Sequence, residues 1–464
     1  MTQYLDLLMF AALVAAILTG FPVSFSIAGV AIIFGYLGWA LGVMDITLLG
    51  ATGQRIFGLL SNQVLIAIPL FVLMGAILEK SRIAEELLDT MGRLFGSLKG
   101  GLGISVVLVG ALLAASTGIV GATVVAMGMI ALPTMLRTGY DPRVASGIVC
   151  TAGTLGQIIP PSTLLIILAD VMSNAYQQAQ YAQGKFAIEA ISVGQFFAAA
   201  IVPGLVLVLL YLVYILLRGL IRPQDMPPAL QTQRPTRSEI LSTIIPPVLL
   251  IVAVLGSIFF GIATPTEAGV IGAVGAMVLA ALNGGFSRQQ LSNVCESTMR
   301  TTAMVMAILM GSTAFSLVFR GVGGDQLISD LLLNLPGGRV GFLVFSMLII
   351  FLLGFFIDFF EIAFIAVPLL LPAARQLLGP EALVWFGVMI GANLQTSFLT
   401  PPFGFALFFL RGVAPDEVST RDIYRGALPF VGLQVAVLAL IIAVPGLVDW
   451  LPRVAGALSP GPMT

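Results

Sequence analysis

The sequence predicts an all-α polytopic membrane protein made of two inverted-topology repeats, each with a re-entrant hairpin and a broken helix. Three observations carry that prediction. Of the 464 residues, 58% are hydrophobic and only 9% charged, with a mean hydropathy of +1.07; soluble domains have about 25% charged residues. Two double prolines sit deep in apolar sequence, in Gly-Thr-Leu-Gly-Gln-Ile-Ile-Pro-Pro-Ser-Thr at 153–163 and Leu-Gln-Thr-Ser-Phe-Leu-Thr-Pro-Pro-Phe-Gly at 394–404. Landmarks of the first half also recur in order in the second. Met74-Gly75 returns as Met310-Gly311, 236 residues on, and Gly103 as Gly341, 238 on. Pro133 returns as Pro372, 239 on, and Pro160 as Pro401, 241 on. Small loop insertions produce such a drift.

In order, the first repeat covers 1–217. Its scaffold spans lie within 5–78, at about 5–19, 22–42 and 64–78, around a polar patch at 45–63 that carries Arg55. An amphipathic arm follows at 79–99. Ile83, Leu87, Leu88, Met91, Leu94 and Phe95 share one side, and Glu79, Lys80, Arg82, Glu85, Glu86, Asp89 and Arg93 the other. The hairpin occupies 102–136, because its two arms are too short to span (about 20 residues are needed), and its tip is Ser116-Thr117-Gly118. The broken helix covers 144–172, interrupted at Pro160-Pro161, and a span follows at 196–217. Proline lacks an N–H and its ring blocks the preceding turn, so a helix stops there. In lipid such a stop is tolerated only when buried in protein or lining a polar cavity.

The linker is 218–239, with Pro223, Pro227, Pro228 and Pro235 among Arg222, Arg234 and Arg237. The second repeat covers 240–464. Scaffold spans lie within 240–318, hinged at Thr264-Pro265-Thr266-Glu267. An arm at 325–335, a hairpin at 340–372, a broken helix at 383–410 and a span at 426–448 complete it. Each half crosses an odd number of times, so the second begins on the opposite side. With the linker in the cytoplasm, 15 Lys and Arg fall inside and six outside: Arg55, Lys185, Arg320, Arg339, Arg375 and Arg453. That agrees with the positive-inside rule. Both termini then lie outside; the first hairpin opens from the cytoplasm and the second from outside.

Several function classes drop out. The chain has no histidine, which removes histidine metal sites, Ser-His-Asp chemistry and histidine relays. Cys150 and Cys295 are single and read as packing residues. No phosphate loop ends in Gly-Lys-Ser/Thr, so ATP-driven work by this chain alone is not expected. Without an intramembrane nucleophile or metal cluster, neither is an enzyme. The net charge of −1 assigns no partner, and no nucleic acid is expected. Met1 to Leu8 carries no Lys or Arg, so the first apolar run reads as a retained helix rather than a signal peptide.

Three stretches then take on a family likeness. Gly-Thr-Leu-Gly-Gln-Ile-Ile-Pro-Pro-Ser, Ala-Thr-Pro-Thr-Glu-Ala-Gly at 263–269, and Asn-Leu-Gln-Thr-Ser-Phe-Leu-Thr-Pro-Pro-Phe-Gly at 393–404 resemble the large membrane subunit of tripartite ATP-independent periplasmic (TRAP) transporters, the DctM type. The resemblance covers nearly the whole chain. It implies a multi-pass protein of the bacterial inner membrane, surrounded by lipid, that takes up an organic acid (a carboxylate, keto acid or sugar acid) with Na+ as coupling ion by an elevator mechanism. It also implies a small four-helix membrane subunit and a periplasmic substrate-binding protein as partners. The tip run Ser-Thr-Gly-Ile-Val-Gly at 116–121 departs from the commoner Ser-Gly-Ser-Ser type. Two alternatives remain at this point: an elevator carrier like the divalent-anion/sodium symporters, working without a binding protein, and proton coupling through Asp358.

A sodium ion stripped of water needs several oxygen ligands. Helix C-terminal carbonyls and hydroxyls supply them at breaks, while helix N-termini favour a carboxylate. The expected first ion site uses Ser116, Thr117, Gly118, Gly153, Thr154 and Pro160; the second uses Gly354, Asp358, Asn393, Thr396, Thr400 and Pro401. Substrate is expected between the tips, against Ser116, Thr123, Ser162, Asn393, Gln395 and Phe403. Each single Ser or Thr is equally well explained by a bond back to its own helix. A carboxylate at mid-membrane costs about 2.5–3.5 kcal/mol, so Asp358 is either a ligand or a tip residue reaching outer water. Glu361 shares its face or pairs with Arg339 or Arg320. Asp170 is expected in solvent and Glu267 as a helix cap. No basic residue is expected in the membrane core.

Overall fold

The computed structural model describes residues 4–182, 184, 189–228, 234–285 and 287–458, setting aside the side chains of 116, 117, 182 and 455–458. The described residues are helical throughout, with no strand, and ten helical stretches are long and apolar enough to cross a membrane. α1 (Leu5–Leu18) and α2 (Val23–Ala40) turn at Gly20, whose φ of +82° a side chain would resist. α3 (Thr47–Gly50) and α4 (Thr52–Leu60) fill the polar patch. Asn62 starts α5 (Gln63–Lys80) by accepting from the Val64 N–H. The amphipathic arm is α6 (Ile83–Phe95), which buries Ile83, Leu87 and Leu88 and exposes Glu85, Glu86 and Asp89. α7 (Gly101–Thr117) and α8 (Val120–Arg137) form the hairpin, turned at Gly118 with φ +60°. α9 (Pro142–Thr154) and α10 (Thr163–Ala182) flank the first break, and α11 (Val193–Ile221) follows.

The second half runs α12 (Arg237–Thr243), α13 (Ile245–Phe259), α14 (Pro265–Leu282), α15 (Arg288–Gly321) and α16 (Gly324–Leu333). α17 (Gly338–Leu353) leads to α18 (Phe359–Glu361), a π-helical turn at Ile362–Ala366, and α19 (Val367–Leu377). α20 (Leu383–Leu399) and α21 (Phe405–Val413) flank the second break, and α22 (Thr420–Ala443) and α23 (Gly446–Leu458) complete the chain.

Several helices outrun the apolar spans that mark them. α15 begins at Arg288, not near 301, because Ser287 and Gln290 form a reciprocal capping box that starts a polar, solvent-side stretch. α22 begins at Thr420, not 426, behind a Ser419–Asp422 box. α10 runs on to Ala182, because Gln177, Gln178 and Gln180 are good helix formers whatever their polarity. Within the expected linker 218–239, α11 continues to Ile221 and Thr236 caps α12. Hydropathy marks the length in hydrocarbon, while caps mark the helix.

Packing falls into two groups. α5 packs on α14 and α15, and α2 on α15. α9 packs on α22, α8 and α7, and α20 on α22, α10 and α17. Lipid is as apolar as leucine, so such contacts depend on close fit rather than on burial. The closest is between α9 and α22, where a Cβ on Gly147 would fall on the Gly426 carbonyl and one on Gly426 on the Arg143 carbonyl. Gly432, further along α22, faces open space. We expect Gly147→Leu and Gly426→Leu to abolish the monodisperse peak in fluorescence-detected size-exclusion chromatography, and Gly432→Leu to keep it. An unchanged profile for both of the first two would refute the contact.

Candidate functional site

The two double prolines, Pro160-Pro161 and Pro401-Pro402, are both cis. At the first, α9 tightens into a 3-10 turn at Leu155–Gln157 before the chain leaves the helix. The Ser162 hydroxyl donates to the Gln157 carbonyl at 3.0 Å. Thr163 Oγ1 donates to the Gly118 carbonyl at 2.8 Å, which ties the break to the tip of the α7–α8 hairpin. A Cβ on Gly118 would come within 2.9 Å of the Thr163 nitrogen, so only glycine fits there.

At the second break, Thr400 is extended after α20. Asn393 Nδ2 donates to the Met347 carbonyl at 2.6 Å and Ser397 Oγ to the Phe351 carbonyl at 2.7 Å. Both acceptors lie on α17, one turn apart, as do both donors on α20. In the corresponding seam of the first half, among the described side chains, Ala152 fits against Gly110, and Gly156 against the Ala114 carbonyl. Small residues there replace the hydrogen bonds of the second half.

The two broken helices meet each other. Gln395 Nε2 on α20 lies 3.4 Å from Thr154 Oγ1 on α9, and Thr154 donates to the Thr151 carbonyl at 2.9 Å. Thr151, Thr154, Gln157 and Gln395 are all 0% exposed. Yet Gln395 Oε1, Thr151 Oγ1 and both polar atoms of the Gln157 amide have no partner. Buried polar groups are nearly always paired, so this crossing concentrates unmet donors and acceptors where the halves touch. Neutral amide and hydroxyl oxygens suit a dehydrated hard cation, and an amide presents both a donor and an acceptor to a polar ligand.

The expected residues distribute as follows. Ser116 and Thr117 have side chains outside the described residues. Gly118 is at the tip contact, and Pro160 is buried in the break. Gly153 lies under Val124, and Thr154 meets Gln395 of the other half. Thr123 donates back to the Ile119 carbonyl at 3.1 Å. Thr396 and Thr400 likewise bond back, to Ala392 and Thr396. Pro401 is half-buried, and Gly354 sits beneath Ser397. Phe403 is 56% exposed, with its ring 5.4 Å from that of Phe356. Asn393 and Gln395 face the seam and the crossing. Thr163, Ser397, Thr151 and Gln157 are absent from the expected ligands, although three of the four fall inside the double-proline motifs.

The acids behave differently from one another. Asp358 caps α18, accepting from the Phe359 N–H at 2.7 Å. Glu361 is 4% exposed, and its Oε2 has no partner. Its expected arginines are engaged elsewhere: Arg320 with Asp325 at 2.9 Å, and Arg339 5.9 Å above the Trp385 ring. The π-helical turn follows Glu361 directly; such turns are frequent at functional sites. Asp170 is half-buried, accepting from Asn62 Nδ2 at 2.9 Å, rather than free in solvent. Glu267 closes a capping box with Thr264, as expected of a helix start.

Residues 10–447 match the family described as "Tripartite ATP-independent periplasmic transporter, DctM component". The chain is 28% identical to the C4-dicarboxylate TRAP transporter large permease protein DctM of Rhodobacter capsulatus, over 97% of this chain and 99% of that one. It is 28% identical to the sialic acid TRAP transporter large permease protein SiaM of Vibrio cholerae, over 94% and 95%. Among solved structures, the YdaH transporter of Alcanivorax borkumensis superposes with a TM-score of 0.59 at 16% identity, covering 87% of this chain and 88% of that one. At that identity the likeness is one of fold.

The orphaned amide of Gln157 gives a direct test. A buried unsatisfied polar group costs about 1–3 kcal/mol, so Gln157→Leu should raise the thermal unfolding midpoint in detergent while lowering transport. A lowered midpoint would mean that the amide is satisfied in the folded protein.

Proposed function

The chain belongs to the DctM-component family of tripartite ATP-independent periplasmic transporters, and we propose that it couples the inward movement of an organic acid to sodium by an elevator motion. It is a large permease subunit for organic acid uptake, a multi-pass protein of the bacterial inner membrane. The observation that carries the finer reading is the meeting of two broken helices at Gln395 and Thr154, each covered by a hairpin from its own half. Such a pair is the strongest pointer to a transporter's binding site.

In this reading the two halves are inverted repeats about the crossing, with the central linker in the cytoplasm. Sodium ions occupy the two tip-and-break sites: Ser116, Thr117, Gly118, Gly153, Thr154 and Pro160 in the first half, and Gly354, Asp358, Asn393, Thr396, Thr400 and Pro401 in the second. The acid lies at the crossing, where Gln157 and Thr151 join Gln395 and Asn393. The names of the two relatives specify a C4-dicarboxylate and sialic acid, both carboxylates, which supports a carboxylate here. The hairpins and broken helices move together against α1–α5 and α13–α15. A small four-helix membrane subunit holds that scaffold, and a periplasmic binding protein delivers the acid.

Proteoliposomes test this directly. Uptake of a radiolabelled organic acid is expected only with an inward sodium gradient and the binding protein present. Full uptake on a proton gradient alone would sink the sodium reading, and uptake without the binding protein would favour an autonomous carrier. Asp358→Ala and Thr117→Ala should each shift the sodium titration to higher concentration. Unchanged titrations in both would remove the ion-site assignments.

A further inference from the structure

Away from the crossing, polar residues of four helices converge on a cavity of about 360 Å³, within the roughly 300–1,000 Å³ range of small-ligand pockets. α15 lines it with Ser312, Ser316 and Arg320, at intervals of four residues along one stripe. α4 contributes Arg55, and the α5 cap contributes Asn62. α10 contributes Asp170 and Asn174. The cavity therefore spans the seam between the α4, α5 and α15 group and α10.

Its polar groups are only partly used. Ser312 lines the cavity at 3% exposure, and its hydroxyl has no partner. The Arg55 side chain makes no hydrogen bond or ion pair among the described residues. Arg320 gives its Nε to Asp325 at 2.9 Å, and its terminal nitrogens have no described partner. Asp170 has one oxygen held by Asn62, whose own oxygen is committed to the Val64 N–H at 2.9 Å. The cavity thus offers planar guanidinium donors, whose geometry matches a carboxylate. It also offers a carboxylate and a hydroxyl that can accept from, or donate to, an alcohol.

The geometry points to a second binding site, a vestibule for a small hydroxylated carboxylate held through its carboxylate by Arg55 and Arg320 and through its hydroxyl by Asp170 and Ser312. This deepens the uptake reading, on which its place in transport rests: an acid is received here before it reaches the broken helices. The orphaned Ser312, buried in the wall beneath the arginines' helix face, favours a small molecule over an acidic side chain of a docked protein.

Charged thiol reagents test the site whichever acid is transported. In the full-length chain carrying Cys295→Ser, which removes the exposed thiol and leaves the buried Cys150, Ser316→Cys places a thiol in the cavity. In lipid nanodiscs its reaction with an anionic sulfonatoethyl and with a cationic trimethylammonium-ethyl methanethiosulfonate is followed by mass spectrometry. Rates are normalised to a free thiol. Electrostatic focusing by the arginines should make the anionic reagent about tenfold faster. Arg55→Gln should bring the ratio near unity, and millimolar D-gluconate or malate should slow the anionic reagent several-fold. Should Ser316→Cys disturb α15, Asn174→Cys on α10 gives the same readout. A ratio near or below unity, or one that Arg55→Gln leaves unchanged, would overturn the site. A ratio that holds while neither acid protects would mean that the arginines receive a protein side chain, which overturns the small-acid assignment. Transport failures in hairpin variants do not enter this ratio, so the two readings fail separately.

Discussion

In hydrocarbon an unpaired peptide group costs several kcal/mol, so a helix that stops inside the membrane must be covered by something that can bond to it. This chain stops two helices there, at Pro160-Pro161 and Pro401-Pro402. The covers are the two hairpins. Thr163 bonds the first break to the Gly118 carbonyl, while Asn393 and Ser397 bond the second to the carbonyls of Met347 and Phe351. Much of the remaining architecture serves this arrangement. Hairpin arms α7 and α8 pack on α9, and α17 packs on α20, and glycine stands at the turn and at the tightest crossings.

The ion pairs contribute in another way. Arg143 with Asp422 joins the starts of α9 and α22 at 3.2 Å, and Arg93 with Glu239 joins the arm α6 to α12 at 2.8 Å. Exposed pairs of this kind contribute about 0–1 kcal/mol each. Their value is positional, since they fix which helix ends lie together at one rim. Inside the membrane the reverse holds. Asp358 and Glu361 have no basic partner among the described residues and are served only by backbone N–H groups.

The fold is legible in the sequence because lipid leaves few options. Hydropathy locates the spans, the amphipathic pattern locates α6, and the double prolines locate both breaks. What hydropathy misses are helix ends in water, where Ser287–Gln290 and Ser419–Asp422 extend α15 and α22 beyond any apolar signal. The site is less legible. Local motifs suggest ligands for their own half and give no sign that Thr154 also meets Gln395 from the other half. Thr123 turns back on its own helix, which no spacing rule distinguishes from a ligand. Ser312 and Asn62 carry no motif at all; they line one cavity only because α4, α5, α10 and α15 converge there.

The two hairpin seams differ in kind. In the first half, α7 lies on α9 and the turn after it through Gly110 and Ala114 against Ala152 and Gly156, a close fit of small residues. In the second, α17 is pinned to α20 by two side-chain bonds one helical turn apart. A smooth seam can slip by small amounts, whereas a pinned one holds its register until both bonds break together. Halves that match in backbone therefore differ in what a substitution would cost: a larger side chain at Gly110 meets Ala152 at once, whereas the second seam loses a bond for each of Asn393 and Ser397 removed.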